Sequence, residues 1–297
     1  MVRKPAIRVG FADNLPFMTS DTPVRRYNRG AFSSRTRKAG MDAMQFEKHV
    51  VVVTGAAKGI GQACVAAFHR EGASVALLDV DKSANAFALA LGDRAKYFAC
   101  DVSKSADVAR TVDSIRQLLG QISVLVNNAG IQTYGTATNT SEDEWDRTIN
   151  VNLKSQFLCA KYTIPSMQQR GGGVIVNLAS VQAFVSQNNV AAYTTSKSAI
   201  LGLTRSIAVD YAPKIRCVAV CPGTVDTPML RDAIQLSPDP AEVLDECNQM
   251  HPVKRIGTPE EIAELILFLA SDKAGFITGQ PIRIDGGLGL SIGGSKR

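Results

Sequence analysis

Short, densely apolar runs alternate along the chain with longer segments whose apolar residues recur every three or four positions. Val50–Thr54 is four valines closed by a threonine, the composition of a parallel strand buried on both faces. After a glycine-rich turn, Ile60, Ala63, Cys64, Ala67 and Phe68 fall on one side of a helix, and Gly72 sits where that helix should end. Further strands are predicted over 75–79, 96–100, 122–126 and 173–179, and Cys217 and Cys221 lie on a sixth. Val108, Val112, Ile115 and Leu119 mark the apolar side of one intervening helix. Ala199, Ile200, Leu203, Ile207 and Ala208 mark another, with its first turns at Tyr193. Repeated strand–helix–strand units with right-handed crossovers predict a doubly wound α/β fold, a parallel sheet with helices on both faces. Trp145 and residues 143–153 read as helix packing rather than as substrate contact.

Length and charge refine this picture. The 297 residues suffice for one large domain plus an extension. The formal net charge is +6, but residues 1–40 hold nine Lys or Arg against two acids, leaving 24 basic and 25 acidic groups elsewhere. The basic character therefore belongs to the N-terminal extension, and the body offers no electrostatic case for nucleic acid. The extension, taken as residues 1–45, lacks periodicity and carries Pro5, Pro16 and Pro23. It is expected to be disordered, or to precede a true start at Met41 or Met44; its Arg-rich make-up also overlaps with transit peptides. The folded domain is expected over 46–297. No apolar stretch is long enough for a signal peptide or a membrane span, and a cytoplasmic location is expected.

Six cysteines occur without any Cys-x-x-Cys. Cys217 and Cys221 would stand roughly 13 Å apart on one strand, too far for a disulfide, so reduced and inert thiols are expected. His49, His69 and His251 have no metal-ligand spacing, and no metal site is predicted.

Candidate chemistry centres on Tyr193 and Lys197, four residues apart and therefore on one helical face, with Ser180 at the end of the 173–179 run. Tyrosine titrates near ~10, too high for a base at neutral pH, and a neighbouring lysine cation should lower it. A second site is the loop from Gly55 through Lys58, Gly59 and Ile60 to Gly61. It leaves a strand and opens a helix, so its amides and the helix N-terminus can meet a pyrophosphate. Gly55 allows the tight turn and Gly61 a close helix–sheet contact. The spacing Gly-x-x-x-Gly-x-Gly differs from the common dinucleotide fingerprint. Asp79, 18 residues after Gly61, closes the second strand where a carboxylate can take ribose hydroxyls.

These stretches, with Asn127-Asn128-Ala129-Gly130, Asn152 before Leu153, and Pro222-Gly223, resemble the classical short-chain dehydrogenase/reductase family over roughly residues 46–289. The resemblance implies a single-domain Rossmann fold with seven parallel strands, a homotetramer, a nicotinamide cofactor and a Ser-Tyr-Lys-Asn tetrad. In those terms Tyr193 is the general acid/base, and Lys197 holds the nicotinamide ribose and depresses the Tyr193 pKa. Ser180 orients the substrate oxygen, and Asn152 anchors a water that passes the proton outward. Asp101 and Val102 flank the adenine, and Asn128, Ala129 and Gly130 support the sheet and cofactor. Pro222, Gly223, Val225 and Thr227 line the nicotinamide side. Asp79 would repel a 2′-phosphate and favours NAD, whereas Lys58 resembles the basic residue of many NADP-dependent members, so NAD is expected and NADP remains open.

Residues 224–255 stand where the family places a lid, broken up by Pro228, Pro238, Pro240 and Pro252, with Met229, Leu230, Ile234, Leu244 and Met250 suggesting a partly apolar helical cover. Residues 180–183, 192–197, 221–228 and 251–257 resemble sugar 1-dehydrogenases, aldohexose dehydrogenases especially. Oxidation of an aldose at C1 is therefore expected, with Gln182 and Gln132 as hydrogen-bonding candidates for the sugar. The alternatives are a 3-oxoacyl-thioester reductase and a non-catalytic dinucleotide sensor.

Overall fold

The structure, a computed structural model, describes residues 44–290. Of the predicted extension, residues 1–43 lie outside the described residues. Seven strands form one sheet: β1 (Val50–Thr54), β2 (Ser74–Asp79), β3 (Ala95–Ala99), β4 (Ile122–Asn127), β5 (Gly173–Leu178), β6 (Ile215–Pro222) and β7 (Pro281–Ile284). Their order is β3-β2-β1-β4-β5-β6-β7, and every pairing is parallel. Chain direction across the sheet reverses between β1 and β4, which opens a crevice at the carboxyl ends of the strands.

The valine run of β1 shows why both faces must be covered. Val51 and Val53 enter a core with Cys64, Phe68, Ile262 and Ile266, from helices α1 (Gly59–Arg70) and α9 (Pro259–Ala270). Val50 and Val52 point the other way, towards Val108, Ile115, Leu158 and Ile207. Those come from α3 (Ser105–Leu118), α5 (Ser155–Arg170) and α6 (Ala191–Tyr211). Helix α2 (Ser83–Leu91) follows β2, and α4 (Glu142–Ile149) runs into α5 through five π-helical residues, Asn150–Lys154.

The lid region forms two helices, α7 (Pro228–Ile234) and α8 (Pro240–Met250). Its prolines do not simply break the segment. Pro228 and Pro240 open the two helices, where a missing N–H costs nothing, behind the capping side chains of Thr227 and Asp239. Among the described residues no helix is long and apolar enough to cross a membrane. All six cysteines are free; five are buried, and Cys247 on α8 is half-buried.

Candidate active site

A cleft of about 1290 Å³ follows the carboxyl ends of the strands and reaches under the lid. The glycine loop forms one end. Gly55 and Gly59 have φ of +62° and +57°, which a side chain would strain. A Cβ on Gly55 would stand 2.8 Å from the Ala129 Cα. Gly61 does not line the cleft: a Cβ there would strike the Gly55 carbonyl oxygen and the Asn128 amide. Its role is thus to close the turn on itself, rather than the helix–sheet contact expected from the sequence. Helix α1 has no side-chain cap and no acid in its first turn, so nothing offsets the positive end of its dipole.

This cradle is held from behind. The Thr54 Oγ1 accepts from the Asn128 and Ala129 amides, both at 3.0 Å, and the Asn128 side chain donates to the Thr54 and Gly55 carbonyls at 2.9 Å. The Asp79 Oδ2 accepts from the Ala57 N–H and its Oδ1 from the Asp81 N–H, each at 2.9 Å. Each oxygen keeps a further lone pair for a ribose hydroxyl. Lys58 lies 3.9 Å from the Asp81 carboxylate, so its charge is shared with an acid. Asp101 and Val102 line the same end. Burial pushes the Asp101 pKa up, but the Ser103 hydrogen bonds and Lys104 outweigh it and leave the carboxyl below its ordinary range.

Tyr193, Lys197 and Ser180 line this cleft together with Asn128, Ala129 and Gly130 and with Pro222, Gly223, Val225 and Thr227. The Ser180 Oγ accepts from the Gln182 N–H, which caps a short 3-10 turn and aims the hydroxyl. The Lys197 Nζ is 5.6 Å from the Tyr193 ring centroid and donates to the Leu178 carbonyl at 2.9 Å. Burial lowers the Lys197 pKa to about 8. Burial also pushes Tyr193 up; a hydrogen bond with the Ser180 hydroxyl draws it partly back, and Tyr134 adds to the rise. The expected lowering of Tyr193 by Lys197 is therefore not what the protein alone produces. The dry surroundings that place the two groups together disfavour both charges.

Asn152 stands behind the cleft rather than in it. Its Oδ1 accepts from the Ile131 N–H at 2.8 Å, and its Nδ2 donates to the Ile131 carbonyl at 2.9 Å and the Ser196 Oγ at 3.1 Å. Its side chain thus holds the strand-end loop against α6. Trp145 is 38% exposed and does not line the cleft, whereas Arg147 and Val151, four apart, do. Gln132 and Gln182 also line it. The Gln182 amide is already engaged, donating to the Gln187 Oε1 at 3.1 Å and accepting from the Thr194 hydroxyl at 3.3 Å.

Sequence reasoning missed the supporting roles of Thr54, Leu178 and Ser196, and the position of Tyr134 in the cleft. Thr54 was legible as the residue between strand and glycine loop; nothing in the sequence singles out the other three.

Residues 55–289 match a family model described as Enoyl-(Acyl carrier protein) reductase. An uncharacterized oxidoreductase of Thermotoga maritima is 43% identical over 251 residues, which cover 82% of this chain and 98% of its own. The 2-(S)-hydroxypropyl-CoM dehydrogenase 3 of Xanthobacter autotrophicus is 39% identical over 249 residues, 82% of this chain and 98% of its own. The ligand-free aldohexose dehydrogenase of Thermoplasma acidophilum aligns with a TM-score of 0.79 at 42% identity, covering 86% of this chain and 99% of that one. A seven-stranded parallel sheet, a glycine cradle at α1 and a Ser-Tyr-Lys cluster at the strand ends accompany these likenesses. The chain belongs to the short-chain dehydrogenase/reductase family and is an NAD(P)-dependent oxidoreductase.

Proposed function

We propose that the protein oxidises an aldose at its C1 hydroxyl to the lactone, with NAD as the preferred dinucleotide. The dinucleotide supplies a hydride acceptor. Tyr193 takes the hydroxyl proton, Ser180 orients the reacting oxygen, and Lys197 holds the ribose and, while charged, favours the phenolate. Asn152 keeps the Ile131 loop in place beside them. Asp79, seconded by Asp81 beside Lys58, faces the adenosine ribose with negative charge, which supports NAD over NADP.

The observation that carries the sugar assignment is a patch of amides next to the reacting phenol. Gln182 and Gln187 are bonded to one another, Gln182 is bonded to Thr194, the neighbour of Tyr193, and both amides line the cleft. Such a patch can exchange its internal bonds for sugar hydroxyls. A second reading rests on α7 and α8, from which Met229, Leu230, Ile234, Val243 and Met250 line the cleft with apolar side chains. That surface suits the acyl chain of a 3-oxoacyl thioester. Initial rates with NAD and NADP across aldoses, their deoxy analogues, hydroxy acids and acetoacetyl thioesters test both. The expected result is an aldose well above its deoxy analogues, since a site built on hydroxyl contacts rejects analogues lacking one. A specificity constant for a thioester above that for the best sugar would install the second reading. Turnover of any alcohol excludes a non-catalytic sensor.

Assembly as a homotetramer and a cytoplasmic location belong to the same proposal.

A further inference from the structure

Helix α8 lies over the cleft without contributing a single buried residue. The residue that ends it, His251, is by contrast 1% exposed. Its Nδ1 lies 2.7 Å from the Cys247 carbonyl oxygen, which can only accept, so Nδ1 carries the proton. The Nε2 is then a free acceptor, and it takes the Thr224 N–H at 3.2 Å. The ring also presses on the strand end: a Cβ on Gly223 would come within 2.9 Å of Nε2.

Thr224 is gripped from its other side as well. Its carbonyl accepts from the Gly257 N–H at 2.9 Å, and Asp226 N–H donates to the Gly257 carbonyl at 2.9 Å. The segment 223–226, part of the cleft wall, is thus fixed between one imidazole and one backbone ladder. Cys247, the other partner of the imidazole, lines the cleft from the lid side. His251 itself does not reach the cleft.

We infer that His251 is a positioning residue: through its two ring nitrogens it sets the Gly223–Thr224 wall and the end of the lid helix in register, and so shapes the part of the cleft that receives the nicotinamide. This rests on the reading above that the Pro222–Thr227 side is the nicotinamide side. A buried N–H left without an acceptor is expected to move or to draw in water, and either outcome displaces the wall.

The test uses the full chain and reads binding by NADH fluorescence, with NADPH in its place if wild type binds that more tightly, and ADP-ribose by competition. His251→Phe fills the space but offers no acceptor, whereas His251→Gln returns a carbonyl oxygen near the Nε2 position. With Phe, NADH binding is expected to weaken about tenfold while ADP-ribose stays within twofold; Gln should recover NADH to within threefold. If Phe does not fold, His251→Asn, whose shorter amide reaches Cys247 but not Thr224, is judged by the same criteria. NADH binding within twofold of wild type would overturn the inference. So would equal losses for NADH and ADP-ribose, or a Gln variant as impaired as Phe. Wild type binding neither NADH nor NADPH would overturn the cofactor reading and this inference with it.

Discussion

The Lys197 Nζ donates to the backbone carbonyl of Leu178 at 2.9 Å, joining the second turn of α6 to the last residue of β5. That carbonyl also accepts from the Gln156 Nε2 at 3.3 Å, so it keeps a partner if the ammonium is removed. The bond fixes where the cation sits relative to Tyr193, and burial determines how willingly it stays charged.

The pKa of Lys197, lowered by burial to about 8, makes a stability prediction for the protein without cofactor. An unfolded lysine keeps its proton to about 10.4. Between those values the folded state binds fewer protons, so this lysine adds stability as pH rises, and that contribution is lost as pH falls through about 8. Relative to wild type, Lys197→Met should therefore lose ground by on the order of 3 kcal/mol between about pH 8 and 10.4. Urea unfolding at several pH values measures the difference, and a difference constant with pH would refute the buried charge.

Tyr193→Phe removes one hydroxyl from the centre of the cleft and leaves the glycine cradle untouched. Turnover is expected to fall by about two to four orders of magnitude, with NAD affinity within a few-fold of wild type. Activity within tenfold of wild type would remove Tyr193 from the role of base.

Asp79 has two functions that one substitution separates. Asp79→Ala removes a negative charge and an acceptor from the ribose, so preference should move from NAD towards NADP by roughly ten- to a hundredfold. It also leaves the Ala57 N–H without its partner, so binding of both dinucleotides should weaken in absolute terms. The two dissociation constants, measured separately, report both effects; an unchanged ratio would show that the carboxylate does not reach the ribose.

Thr54→Val keeps the shape of the side chain and removes the acceptor shared by the Asn128 and Ala129 amides. The Ala129 N–H loses its partner while the Asn128 N–H keeps the Val126 carbonyl at 3.1 Å, and a destabilisation of about 1–3 kcal/mol is expected. Thr54→Ser should restore most of it. Equal denaturant midpoints for Val and wild type would mean that the Ala129 amide finds another acceptor.

The strands were legible almost to the residue because they are β-branched or apolar runs with no competing local structure. The 50–54 run is β1 itself, and the 122–126 and 173–179 runs differ from β4 and β5 by one residue at the carboxyl end. β7 was expected only through the family resemblance. Its four residues, Pro281–Ile284, are partly exposed and too short to show a pattern. The helical cover over 224–255 was legible from its apolar residues, but which of its prolines begin a helix was not, because a proline that breaks a helix and one that begins it look alike until the capping partner is known.

The chain's own residues determined the kind of protein this is. Periodicity specifies a parallel α/β sheet, and the order of Gly55, Asp79, Ser180, Tyr193 and Lys197 carries the family resemblance that implies a dinucleotide-linked oxidoreductase. Tertiary structure alone decided which of those side chains are free to act. Asn152 is held on Ile131, 21 residues away, while the bonds of Gln182 to Gln187 and Thr194 and of Asp79 to the Ala57 amide fix how those two groups are presented. His251 is spent on Thr224, 27 residues before it. A hydrogen-bonding group takes whichever partner the fold brings within about 3 Å. That choice, like the dielectric that raises Tyr193 and lowers Lys197, arises only when distant segments pack and water leaves.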